Sequence, residues 1–231
     1  MCDRALTYAS RNPFVRRYFR SRLAHMVQVT NSSNAKVILD IGCGKGELLK
    51  VLAGNFAGSE YVGIDVGKEI YAMKKEAEVD SLQETHFVRA DCMHLPLKSA
   101  CSQLVFCASV LEHLPDVMSA ASEITRTLDF GGRLVIGMPT ENFLYRIARG
   151  FVGLRKPVDH FHRAFYLEAA LEAMLDHEFV RSRVLKLPLS FLPTYMSLYL
   201  VLVYDRRAYE PQKFRSGSAG KSRSMRIGSA D

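Results

Sequence analysis

The tightest constraint on this chain is one continuous stretch: the run Lys36-Val-Ile-Leu-Asp40, then Ile41-Gly42-Cys43-Gly44-Lys45-Gly46-Glu47, then Leu48-Leu49-Lys50-Val51-Leu52. A short, wholly apolar run ended by an acid is how a strand buried on both faces reads. Glycines at i, i+2 and i+4 then turn the chain into a helix. Glycine is needed there because a side chain would forbid a positive φ or block the close approach of a ligand. A tight turn with no ligand would account for the glycines alone, but this turn has a companion, Asp65. It closes Tyr61-Val-Gly-Ile-Asp65, so an acid stands at the tip of the second strand, beside the loop, where it can accept from both hydroxyls of a ribose.

The glycine spacing separates ligand classes. A dinucleotide fingerprint is GxGxxG, whereas here the pattern is GxGxG with Glu47 at i+5. An acid near the place of a pyrophosphate disfavours that ligand and is tolerable for one with positive groups.

Downstream, strand and helix patterns alternate. His86 to Arg89, Leu104 to Ala108 and Arg133 to Gly137 read as strands, the last opened by Gly131-Gly132. Lys68 to Val79, Asp116 to Leu128 and Phe165 to Leu175 have helical spacing. The pattern predicts an α/β domain with a mostly parallel sheet. Arg183 to Leu187 and Met196 to Tyr204 succeed each other without a helix between them, which predicts an antiparallel hairpin at the sheet edge. Ahead of the domain, Asn12-Pro13 opens an amphipathic helix bearing Phe14, Val15, Tyr18, Phe19, Leu23, Met26 and Val27, with arginines between. The expected organisation is an N-terminal helix or cap over 1–35, the α/β domain over 36–205 and a basic, disordered tail over 206–231.

On these residues the chain resembles the class I S-adenosylmethionine-dependent methyltransferases, within the broad type 11 group. Asp40-Ile-Gly-Cys-Gly-Lys-Gly46 is similar to the family's first motif, Gly63-Ile-Asp65 to the second and Ala90-Asp91-Cys-Met-His-Leu-Pro96 to the third. Val110-Leu-Glu-His-Leu114 resembles the segment after the fourth strand, and Leu128 to Ile136 the approach to the fifth. His162, Tyr166, Leu171, Leu175 and Phe179 match the spacing of a signature beyond the fifth strand. The resemblance implies a Rossmann-like fold with a seven-stranded sheet and S-adenosyl-L-methionine as cofactor, leaving S-adenosyl-L-homocysteine. It implies Asp40, Gly42, Gly44 and Gly46 at the methionine end, Asp65 at the ribose, and Asp91, Cys92 and Met93 at the adenine, with Val66 also cofactor-binding; Cys43 reads as a small residue packed close to the cofactor and Cys107 as core or cofactor wall. Two departures stand out: Ser102-Gln103 replace the acid usual before the fourth strand, and His177-Glu178 replace a small pair before Phe179.

A methyl group on a sulfonium is already activated, so positioning can lower much of the barrier and a base matters only when the acceptor must lose a proton. His113, past the fourth strand at the ligand-binding edge, is the candidate base, and it can instead serve only to start the next helix. His160, His162 and Glu112 are candidate substrate contacts. No Cys/His spacing points to a metal.

The formal net charge of +7 is a sum of unlike parts. Residues 1–36 hold seven basic side chains and one acid, residues 205–231 seven and three, leaving 17 against 20 between them. A basic stripe over the folded body, as a nucleic-acid binder needs, is therefore not indicated. The five cysteines, an odd number without a secretory leader, read as reduced thiols in a cytoplasmic chain. The reading is a methyltransferase acting on a small-molecule or lipid-like acceptor at oxygen, nitrogen or carbon, with peripheral membrane contact through the arginine helix open. The alternatives are an RNA methyltransferase, a cofactor-binding protein without turnover and a nicotinamide oxidoreductase.

Overall fold

A computed structural model describes residues 12–30, 34–77, 84–140, 142–151, 171–172, 177–191 and 193–208. One sheet of seven strands has the order β3-β2-β1-β4-β5-β7-β6. Its strands are β1 Val37–Ile41, β2 Glu60–Asp65, β3 Thr85–Arg89, β4 Ser102–Ala108, β5 Leu128–Pro139, β6 Phe179–Leu187 and β7 Tyr199–Arg206. Strands β1 to β5 are parallel; β7 runs antiparallel to β5, and β6 antiparallel to β7. The expected hairpin is present, with its second strand placed inside the first. The strand order reverses between β1 and β4, the kind of switch point that leaves a crevice at the carboxyl ends of the strands.

Among the described residues the sheet is accompanied by α1 Pro13–Gln28, α2 Glu47–Ala53, α3 Ile70–Ala77, α4 Val117–Thr127 and α5 Phe143–Phe151. Successive strand residues face opposite sides, so Leu39, Ile41, Val105 and Cys107 enter one core with Ala120 and Ile124 of α4. Ile38, Leu104, Phe106 and Val135 enter the other, with Leu48, Leu49 and Leu52 of α2 and Leu23, Met26 and Val27 of α1. Burying each of those three α1 side chains contributes about 1.5–3 kcal/mol. Helix α1 starts where Pro13 fixes φ and the Asn12 carboxamide oxygen accepts from the Phe14 N–H at 3.0 Å. It therefore belongs to the packed body. Arg16, Arg17 and Arg20 are exposed, whereas Arg22 is buried, its guanidinium 4.2 Å from the ring centroids of Phe19 and Tyr199.

Other differences from the sequence reading have local causes. Strand β5 begins at Leu128, directly after α4, because Leu128 pairs with Ser102; Gly131 (φ +74°) and Gly132 lie inside the strand, near a register irregularity. Ser102 is buried and donates to the Thr127 carbonyl, and the Gln103 carboxamide oxygen accepts from the Lys36 and Val37 N–H groups. Polar residues thus serve where an acid is usual. Helix α5 has no counterpart in the sequence reading. Of the helix expected over 165–175 only residues 171 and 172 are described; they are helical, with Leu171 buried against the first core. Residues 209–231 lie outside the described residues.

Candidate functional site

Pairing of β1 with β2 sets Asp40 opposite Gly63 and brings the glycine turn against the end of β2. The Gly42 and Cys43 N–H groups both donate to the Ile64 carbonyl, at 2.7 and 3.0 Å. The Asp65 carboxylate then holds the turn with both oxygens: Oδ2 accepts from the Gly44 N–H at 2.9 Å, and Oδ1 from the Gly67 N–H at 2.7 Å. Gly42, Gly44 and Gly46 have φ of +74°, +53° and +68°. They answer to different needs. A Cβ on Gly42 would lie 2.2 Å from Val110 Cγ2, so the turn and the segment after β4 touch backbone to side chain. A Cβ on Gly44 would meet nothing within 4 Å, so the turn opens there onto free space that a ligand can fill.

Three carboxylates stand at or just past the carboxyl ends of β1, β2 and β3. Asp40, at the end of β1, is buried, and its Oδ2 has no hydrogen-bond partner. Burial, seconded by the negative charge of Asp65, pushes its carboxyl up to about 7. A buried carboxylate oxygen without a partner is costly unless a cation or donor meets it. Asp65 keeps lone pairs beyond its two backbone bonds, and Val66 beside it is 66% exposed, an apolar wall at the mouth. Asp91 follows β3 and its carboxylate accepts from the Met93 N–H at 2.9 Å, fixing the turn through Cys92 and Met93. Acids for an ammonium and a ribose, a glycine cradle and an apolar wall fit an S-adenosylmethionine-like molecule.

The cysteines of this region hold shape. Cys43 points away from the opening, toward Gly63 of β2, and both its backbone groups are engaged in the turn. Its thiol is pushed well above the ordinary range by burial, then by Asp40 and Asp65. Burial likewise pushes Cys92 up to about 11. Both stay protonated at neutral pH and are no nucleophiles. Cys107 is fully buried in β4, one residue from its end.

Past β4 the chain takes a short 3₁₀ turn, Leu111–His113. Glu112 is buried there; the His113 side chain is 34% exposed, its Nε2 3.8 Å from Glu112 Oε1. The histidine thus sits at the edge within reach of solvent. His160 and His162 lie outside the described residues. Two features have little signal in the sequence. Ser109 has φ +54°, rare for a residue with a side chain, and its hydroxyl lies 3.2 Å from the Tyr199 hydroxyl. Tyr199 in turn carries Arg22 on its ring and fits because position 137 is glycine, whose Cβ would lie 2.4 Å from the phenol oxygen. The only sequence signal is Gly137 in an otherwise apolar strand.

Residues 39–136 match the family model described as a methyltransferase domain. A malonyl-[acyl-carrier protein] O-methyltransferase of Marinomonas sp. is 25% identical over 156 residues, which cover 68% of this chain and 57% of that protein. The ubiquinone biosynthesis O-methyltransferase of Aliivibrio fischeri is 26% identical over 168 residues, covering 70% of this chain and 71% of the relative. The chain thus spans little more than half of the first relative's length. Among solved structures, a SAM dependent methyltransferase from Aquifex aeolicus superposes with a TM-score of 0.64 at 14% identity, over 89% of this chain and 100% of that one. At such identity the likeness concerns the fold, which is Rossmann-like.

Proposed function

We propose that this chain, whose residues 39–136 match the methyltransferase domain family, moves a methyl group from S-adenosyl-L-methionine to a small-molecule or lipid-like acceptor. The observation that carries the cofactor side is the partnerless buried oxygen of Asp40 at the end of β1, followed four residues on by the open position of Gly44. Asp40 receives the ammonium of the methionine end. Asp65 takes the ribose hydroxyls while holding the turn, Val66 packs on the adenine, and Asp91 with the Cys92-Met93 backbone meets its edge. When bound, the cofactor supplies a methyl group already activated by its sulfonium. The turn residues fix its orientation, and the segment after β4 bounds the acceptor side.

Both relatives are named as O-methyltransferases, which favours an oxygen acceptor. His113, at the carboxyl edge and accessible, is suited to take the acceptor proton; buried Glu112 positions it. The thiols of Cys43, Cys92 and Cys101 support a reducing, cytoplasmic setting, and among the described residues no helix is long and apolar enough to cross a membrane.

Calorimetry with S-adenosylhomocysteine tests the cofactor assignment. Asp65→Ala removes charge-assisted bonds worth roughly 1.5–3 kcal/mol and should weaken binding more than tenfold. Unchanged affinity in a folded variant refutes it. Transfer of a labelled methyl group to lipid extracts or small hydroxylated acceptors, and not to RNA, is the expected activity.

A further inference from the structure

The carboxyl edge bears apolar side chains that the site does not use. Phe14 is 81% exposed, Phe143 75%, Phe191 81% and Tyr195 73%, with Leu144 and Ile147 beside them on α5. Hydrogen bonds draw two of these segments together: the Asn142 amide donates to the Thr194 carbonyl at 3.2 Å and to the Ser197 carbonyl at 2.5 Å. The start of α5 therefore lies against the connection between β6 and β7, where Leu187 pairs with Tyr199. Helix α1 reaches the same edge. The Thr30 carbonyl past its end accepts from Arg133 near the amino end of β4, Met26 meets Gly137, and Arg22 stacks on Tyr199 opposite Pro139. At 1.5 Å per residue, Phe14 stands about 12 Å beyond that stack, outside the sheet.

Charge decides what covers this face. Residues 13–28, 143–151 and 187–199 contain six arginines and no acid. Arg16, Arg17, Arg20 and Arg146 are exposed. Glu141, between β5 and α5, lies outside the described residues. A second copy meeting this face by two-fold symmetry would set arginine against arginine. A nucleic acid would satisfy the guanidinium groups and leave phenylalanine, leucine and isoleucine in water. An anionic bilayer satisfies both, taking aromatic and aliphatic side chains below its headgroups and arginines at its phosphates.

We propose that the face made by the first turns of α1, the start of α5 and the β6–β7 connection docks on an anionic lipid bilayer, with the mouth of the site turned toward it. This deepens the lipid-like acceptor reading, yet its test involves no methyl transfer, so either can fail alone. The full chain is sedimented with vesicles of phosphatidylcholine and with vesicles also containing phosphatidylglycerol. Binding to the mixed vesicles should be about tenfold tighter or more, and should weaken as salt is raised. The double variant Phe143→Ser/Phe191→Ser should lose about tenfold, and Arg16→Gln/Arg17→Gln/Arg20→Gln should lose the preference for anionic lipid. Both should bind S-adenosylhomocysteine as the parent does, which reports an intact fold. Equal affinity for the two vesicle types, no binding to either, or binding that survives both variants, as attachment through residues 209–231 would, overturns the proposal. A concentration-dependent dimer that the phenylalanine variant dissolves, with no vesicle binding, also overturns it.

Discussion

Around the ends of β1, β2 and β3 the edge of the sheet gathers three carboxylates and a turn of positive-φ glycines, whereas around the ends of β5, β7 and β6 phenylalanines and arginines stand in the open. The first region is made by backbone: the Gly42 and Cys43 N–H groups donate to the Ile64 carbonyl of β2, and one carboxylate, Asp65, accepts from the N–H groups of Gly44 and Gly67. The second is made by side chains that meet across long stretches of sequence, as Arg22, Ser109 and Tyr199 do. A small charged cofactor wants the former, rigid and shaped to it. The latter offers exposed apolar surface and cations instead.

The sharpest way to break the contrast is Gly42→Ala. The left-handed φ costs about 1–2 kcal/mol and the overlap with Val110 about 1–3 more, so roughly 3 kcal/mol of stability should go, visible as a large drop in melting temperature. An unchanged melting curve would mean that the turn is not the rigid element described. Next in size is the effect of pH through Asp40. Its carboxyl is raised from 3.8 to about 7, so the folded state holds the proton more tightly than the unfolded chain does. The empty domain should lose stability as the pH climbs through that window. Affinity for a ligand bearing an ammonium should move the other way, rising about tenfold between pH 6 and pH 8 as Asp40 ionises. Asp40→Asn should flatten that profile in calorimetry with S-adenosylhomocysteine. The smallest effect belongs to the other region: Tyr199→Phe removes one hydroxyl pair at Ser109 and should cost about 1 kcal/mol in denaturant titration, with cofactor-product affinity retained. A loss of that affinity would show the two regions to be one.

The same contrast explains what can be read from sequence. The glycine turn, Asp40, Asp65, Val66 and Asp91 are legible because each motif is contiguous and sits at the end of a strand that announces itself. The alternation that gives the parallel strands is legible for the same reason. The early start of β5 is not, since Gly131-Gly132 read as punctuation while the pairing of Leu128 with Ser102 is non-local. Nor is Arg22: an arginine on an amphipathic helix reads as solvent-facing, and the Tyr199 ring that covers it beside Phe19 lies far along the chain. The packing of Cys43 toward Gly63 of β2 is likewise non-local and has no signal in the motif itself.

The place of β7 between β5 and β6 also bears on how the chain comes into being. As residues leave the ribosome, β1 to β5 can pair once Pro139 has emerged, so the cofactor region can close on a little over half the chain. The free edge of β5, with Leu134 to Met138, stays uncovered until Tyr199–Arg206 arrives. Synthesis thus completes the two regions in order, the charged one first, and it leaves an apolar strand edge open for the interval between them.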